Sequence, residues 1–157
     1  MKEKNRSKKA FITSVVACVV SVVTALAVLL GIVNNAVTTK TLKGVDFERG
    51  SLDANGKYVE SNENLVSMDM NTVDGLIIEI NEDATVSYKL AFYNEDEEFV
   101  SMTESLTENF DTENIPAEAK YFKVVITPNQ VDGENVKVNV LNQNKFVKQL
   151  KVTFARE

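Results

Sequence analysis

The chain has 157 residues, with 17 Lys/Arg against 23 Asp/Glu, one cysteine, no histidine and no tryptophan. Without histidine there is no Ser-His-Asp or Cys-His site and no imidazole metal site, and the acidic balance argues against nucleic acid, whose phosphates would be repelled. Carboxylate-only chemistry stays open; no acid pair stands out, so the chain is expected to bind rather than turn over a substrate. Neither a cofactor nor a metal ion is expected.

The first element says where the protein sits. Residues 1–9 form a basic head with five Lys/Arg and one Glu, and Ala10 to Val33 is a run of 24 residues without a charge. As a helix that run reaches about 36 Å, more than the roughly 30 Å hydrocarbon core, and a helix satisfies its own backbone hydrogen bonds in lipid. The basic head predicts a single-pass protein of the cell membrane, N-terminus cytoplasmic and C-terminal domain extracellular. Rival readings fit less well. Ala25-Leu26-Ala27 has the form of a signal-peptide cleavage site, but Val28-Leu29-Leu30 would leave an apolar new terminus. Val15-Val16-Ala17-Cys18 resembles a bacterial lipobox, yet apolar residues continue to Val33 where a lipoprotein has a polar tether. The head followed by Phe11 resembles a type IV pilin start, but Val15 stands where that family has glutamate. An uncleaved signal anchor remains, with membrane lipid as its partner and Cys18 as a small apolar helix residue. Ala17, Ser21 and Ala25 form a small-residue stripe that would allow two anchors to pair as a homodimer; the plainer alternative is that Ala and Ser are simply common in membrane spans.

Residues 34–157 hold 12 Lys/Arg, 22 Asp/Glu and no cysteine, hence no disulfide. That length suffices for one domain with its own core. Residues 34–44 are polar and Thr-rich and read as a juxtamembrane stalk. From Val45 the pattern alternates, the mark of half-buried strands. Phe47–Leu52 and Lys57–Glu60 flank Asp53-Ala54-Asn55-Gly56, whose Asn-Gly pair suits a hairpin turn. Val66, Met68 and Met70 alternate, then Leu76, Ile78 and Ile80, then Val86, Tyr88, Leu90 and Phe92. Asn94-Glu95-Asp96-Glu97 turns the chain into Phe99–Met102. Leu106 to Ala119 reads as a long crossing loop with one helical turn. Phe122, Val124 and Ile126 precede Pro128; Val136, Val138 and Val140 are read as a further strand; Asn142-Gln143-Asn144 turns into Leu150, Val152 and Phe154. The expected fold is all-β: an antiparallel sandwich, a jelly roll, of about eight or nine strands over residues 45–157.

Two segments carry a resemblance. Phe92-Tyr93-Asn94-Glu95-Asp96-Glu97-Glu98-Phe99-Val100 and Ile115-Pro116-Ala117-Glu118-Ala119-Lys120-Tyr121-Phe122-Lys123-Val124 are similar to stretches of galactose-binding-like jelly-roll domains on bacterial surface and phage tail proteins. That family often runs F-Y-D-x-x-G-x-F-I-S and I-P-x-x-A-K-Y-x-R. Here the turn glycine is replaced by Glu97 or Glu98, and Lys123 stands for the arginine. The resemblance implies a jelly roll and either carbohydrate binding or an assembly role; a fold by itself does not choose between them.

Counting in twos places Tyr93 and Tyr121 outside the core, with Asn94 and Asp96 in the adjoining turn. Rings plus hydrogen-bonding side chains are what a sugar site needs, so Tyr93, Asn94, Asp96 and Tyr121 are the candidate ligand-binding residues. The plainer alternative has both rings covering apolar surface with their hydroxyls in water. The acidic turns Asn81-Glu82-Asp83, Asn94–Glu98 and Asp132-Gly133-Glu134 read as solvated rather than calcium-binding, having no EF-hand spacing. The expected function is an extracellular interaction domain, foremost an assembly subunit binding another envelope protein, with a glycan- or cell-wall-binding module as the alternative.

Overall fold

The structure, a computed structural model, describes residues 38–156. The basic head, the anchor with Cys18, the stripe of Ala17, Ser21 and Ala25, and residues 34–37 lie outside the described residues. From Thr38 onward the chain is all-β, with every strand pairing antiparallel.

The alternating segments of the sequence make the central strands. In chain order these are β1 (Thr39–Thr41), β2 (Phe47–Arg49), β3 (Ser51–Leu52), β4 (Tyr58–Val59), β5 (Leu65–Ser67), β6 (Asn71–Thr72), β7 (Ile77–Ile80), β8 (Val86–Tyr93), β9 (Phe99–Met102), β10 (Tyr121–Pro128) and β11 (Leu150–Ala155). Among the described residues one α-helix, α1, spans Gln143–Val147. The larger sheet runs β2-β5-β10-β8-β9, with β6 also on β10; the smaller runs β1-β11-β7; β3 and β4 form a separate hairpin. Among the described residues there are eleven strands rather than eight or nine because several are pieces of two or three residues.

Register explains the core. Phe92 lies opposite Phe122, Leu90 opposite Val124 and Tyr88 opposite Ile126, so the inward residues of β8 and β10 form one apolar face. In the smaller sheet Val152 lies opposite Ile78 and Leu150 opposite Ile80. The two faces meet: the Phe122 and Phe154 rings stand edge-on with centroids 5.6 Å apart. Leu42, Phe47, Val138, Phe146 and Val147 complete the buried cluster. Between the short strands β5 and β6 the ladder on β10 lapses. The orphaned Val124 N–H donates instead to the buried Ser67 hydroxyl at 3.0 Å, so no buried donor is stranded.

The crossing loop after β9 closes one open side. Leu106 exchanges both backbone bonds with Tyr88, and Phe110 packs its ring 6.1 Å from Phe92. Asn109 Oδ1 accepts the Ile80 N–H and the Phe110 N–H donates to the Ile78 carbonyl, covering the free edge of β7. Its expected helical turn is present, as 3₁₀, at Thr112–Asn114.

Three expectations need correction. Thr39–Thr41, read as part of a stalk, is a strand paired with β11, opposite Thr153 to Ala155; polar on both faces, it is specified by its partner and not by its own pattern. Val136, Val138 and Val140 do not form a strand: only Val138 is buried, and its N–H reaches the Asn62 carbonyl. Asn142-Gln143-Asn144, read as a turn, leads into α1, which buries Phe146 and Val147. Here local side-chain bonds of Asn139 and Asn142 to the backbone outweigh the alternating pattern.

Candidate functional site

Of the four residues singled out from sequence, Tyr93 is the one whose setting differs most from expectation. Its parity is right, since it lies on the outer face of the larger sheet, but that face is covered and Tyr93 is only 3 % exposed. The β3–β4 hairpin folds back over it: the Tyr93 hydroxyl donates to the Gly56 carbonyl at 2.7 Å, and the ring meets Phe99 edge-on at 5.9 Å. Burial, and after it the Asp53 carboxylate, pushes the Tyr93 phenol up to about 12. Tyr93 is therefore a structural clasp and presents no free face for a sugar. Tyr121 lies opposite Tyr93 and is half-buried.

Asn94 is likewise committed. Its Oδ1 accepts the N–H of Asp96 at 3.0 Å and of Glu98 at 2.8 Å, and its Nδ2 donates to Glu98. The same geometry recurs at the other turn. Asp53 Oδ1 accepts the N–H of Asn55 at 2.8 Å and of Lys57 at 2.9 Å. In both, the first residue's N–H donates to the carbonyl four residues on, and its own carbonyl accepts the N–H three residues on. In both, the fourth residue is left-handed: Gly56 at φ 71° and Glu97 at φ 61°. Asp53–Lys57 and Asn94–Glu98 are thus one turn built twice, a tight turn followed by a left-handed bulge residue. The two N–H groups hold the Asp53 carboxyl below the usual carboxylate range. Asp96 is exposed in the second turn and makes no side-chain bond there.

Free chemistry lies elsewhere. An open groove of about 770 Å³ runs between β2, the β4–β5 connection and the start of α1, lined by Glu48, Arg49, Tyr58, Glu60, Ser61, Asn62, Val140 and Gln143. Two bonds join the segments that contribute its walls: Val138 N–H donates to the Asn62 carbonyl at 2.6 Å, and Asn135 Nδ2 to Glu63 at 2.8 Å. Tyr58 is 46 % exposed, yet its hydroxyl donates to the Arg49 carbonyl at 2.8 Å. Its ring lies across Gly50, so close that a β-carbon there would overlap it. Among the described residues, the side-chain polar ends of Glu48, Arg49, Glu60, Asn62 and Gln143 have no hydrogen-bond or ion-pair partner. Sequence reasoning passed over Tyr58 because only its hairpin position was used. The available signal was a glycine a few residues before an Asn-Gly turn and an aromatic just after it, a pairing in which the ring covers the bare backbone.

Beside this groove the turn before α1 displays two aliphatic side chains, Val140 at 73 % and Leu141 at 92 % exposed. The turn is stiff. Asn139 Oδ1 accepts the Leu141 and Asn142 N–H groups, Asn142 Oδ1 accepts the Asn139 N–H, and Asn142 Nδ2 donates to the Lys137 carbonyl. Among the described residues there is no cluster of three metal-ligating side chains, and no helix long and apolar enough to cross a membrane. No protein-family model, curated protein or solved structure matches the chain.

Proposed function

We propose that this chain is a single-pass membrane protein that displays a β-sandwich interaction domain outside the cell, where it binds another envelope protein as an assembly subunit. The anchor reading is supported by the uncharged run Ala10 to Val33 behind its basic head. The jelly-roll reading is supported by the Asn94–Glu98 turn, whose left-handed residue, Glu97, stands where the resembled pattern has glycine. Recognition in place of turnover follows from the side-chain inventory: no histidine, and acids distributed over solvated turns.

One observation carries the partner assignment. Val140 and Leu141 are held in water by a turn that the Asn139 and Asn142 side chains brace with four bonds to its backbone. Two rigid exposed aliphatics cost little ordering entropy when a partner covers them, and their burial would contribute about 3 kcal/mol or more. The test is a photo-crosslinking residue at position 141 of the full chain in native membranes. A discrete adduct with one envelope protein is expected. It should be absent from position 131, another exposed apolar site, and lost on Val140→Asp. Equal adducts from both positions, or none, would refute the assignment. Topology is tested separately: a cysteine placed at Thr39 should react with a membrane-impermeant reagent on intact cells, and one at Ser7 should not.

A further inference from the structure

We propose that the groove at Tyr58 is a saccharide site, taking neutral or N-acetylated sugar chains. The inference does not depend on the partner reading above: Val140 borders both places, but Tyr58 and the polar side chains of the groove carry it.

Three observations converge on it. The first is a platform: the Tyr58 ring is pinned by its hydroxyl to the Arg49 carbonyl and by its contact with Gly50, yet stays about half exposed in the lining of the groove. A fixed ring has little freedom left to lose on binding, and its electron-rich face attracts the C–H groups that line one side of a pyranose. The second is the polar supply. Glu48 and Glu60 accept, Arg49 donates, and the amides of Asn62 and Gln143 do both. Sugar hydroxyls also do both, so a polyol can satisfy this mixed set, whereas a phosphate needs donors alone. The groove gathers these unspent groups in one place, whereas the turn residues Asp53, Asn94, Asn139 and Asn142 spend their side chains on backbone. The third is shape and charge. The hollow has the volume of a ligand site and is open to solvent, which admits an internal unit of a chain. Two carboxylates against one guanidinium, on a segment from residue 34 that carries 22 acids and 12 bases, disfavour anionic polymers.

The experiment is equilibrium binding to the full chain in detergent, followed by tyrosine fluorescence, which is unobscured because the chain has no tryptophan. The probes are a β-linked N-acetylglucosamine hexamer, a β-linked glucose hexamer, a galacturonate hexamer and pentalysine. At least one of the first two should bind with a Kd below about 1 mM, and the galacturonate hexamer at least about tenfold more weakly. Tyr58→Ala should weaken binding about tenfold or more, and Tyr58→Phe much less, since the ring is kept. Asn62→Ala and Glu60→Gln, whose exposed side chains make no bond within the described residues, should each weaken it several-fold at unchanged Tm; they decide the matter if Tyr58→Ala fails to fold. Failure of both neutral hexamers at about 10 mM, or binding indifferent to Tyr58, Asn62 and Glu60, would overturn the proposal. So would pentalysine as the one ligand bound, lost on Glu60→Gln, which would make the groove a site for basic peptide.

Discussion

Glu97 and Gly56 occupy the same left-handed position in two copies of one turn, so exchanging their residue types gives opposite expected effects. A non-glycine residue held left-handed costs roughly 1–2 kcal/mol. Glycine removes that cost but surrenders about 0.5–1 kcal/mol through greater freedom in the unfolded chain. Glu97→Gly should therefore stabilise the domain by about 0.5–1 kcal/mol. Gly56→Ala incurs the left-handed cost and, in addition, drives a β-carbon into the Phe99 ring; displacing a packed ring adds about 1–3 kcal/mol, and with the glycine entropy term regained the total is about 1–4 kcal/mol. The carbonyl of Gly56 also holds the Tyr93 hydroxyl, so a shifted hairpin loosens that clasp. The assay is urea and thermal unfolding of residues 38–157, where each kcal/mol moves Tm by roughly 3–6 °C at this size. Glu97→Gly should raise Tm by a few degrees and Gly56→Ala should lower it by ten or so, on the order set by the same scaling. Gly56→Ala within about 0.5 kcal/mol of the parent, smaller than the least conformational cost above, would refute the equivalence of the two turns and the role of the hairpin as a cover.

Residues 38–157 should fold alone, since both sheets and the core between them lie within this segment; Ile78→Asp should abolish the fold, because an unpaired carboxylate in that core costs several kcal/mol, and an unchanged melt would contradict the core assignment. Alkaline pH should destabilise the domain. Tyr88, through burial and then the Glu108 charge, and Tyr93, through burial and then the Asp53 charge, are both pushed up to about 12 from an ordinary 10. The unfolded chain releases these protons first, so the folded state binds more protons between those values and stability falls as pH rises from about 10, by at most about 2–3 kcal/mol per ring. Tyr93→Phe should lose the Gly56 bond yet flatten part of that alkaline decline; an unaltered slope would remove Tyr93 as its source.

How far the sequence speaks depends on how local the cause is. Val86, Tyr88, Leu90 and Phe92 were legible because strand geometry and burial coincide on one face. Phe122, Val124, Ile126 and the closing strand Leu150–Ala155 were legible for the same reason. Tyr93 was misjudged because what covers it, Gly56, is 37 residues away in sequence; period-2 counting gives a side of the sheet and says nothing of what lies over that side. Val136, Val138 and Val140 alternate without forming a strand, because the asparagine bonds that bend the next residues away are contacts that hydropathy does not score. Thr39–Thr41 has no pattern at all and is a strand only because β11 offers an edge. The groove escaped notice since its walls come from three distant segments, brought together by the Val138–Asn62 and Asn135–Glu63 bonds.

The pairing of β1 with β11 has a mechanical consequence. The chain enters at Thr38 and leaves at Arg156 side by side, with the Arg156 N–H donating to the Thr38 carbonyl at 2.6 Å. Tension drawn between those two points acts across a three-residue antiparallel ladder from its open end, parting one bond at a time like a zip. Tension drawn between Thr38 and a ligand seated at Tyr58 takes another path: it must pass from β1 through the short link that includes Leu42 into β2, and Leu42 is anchored by its N–H to Val152 and by its side chain in the core. The same small strand is thus a weak seam for one direction of load and the head of a buried cleat for the other. Single-molecule pulling from the two pairs of points should give a low, gradual opening in the first geometry and an abrupt rupture at higher force in the second.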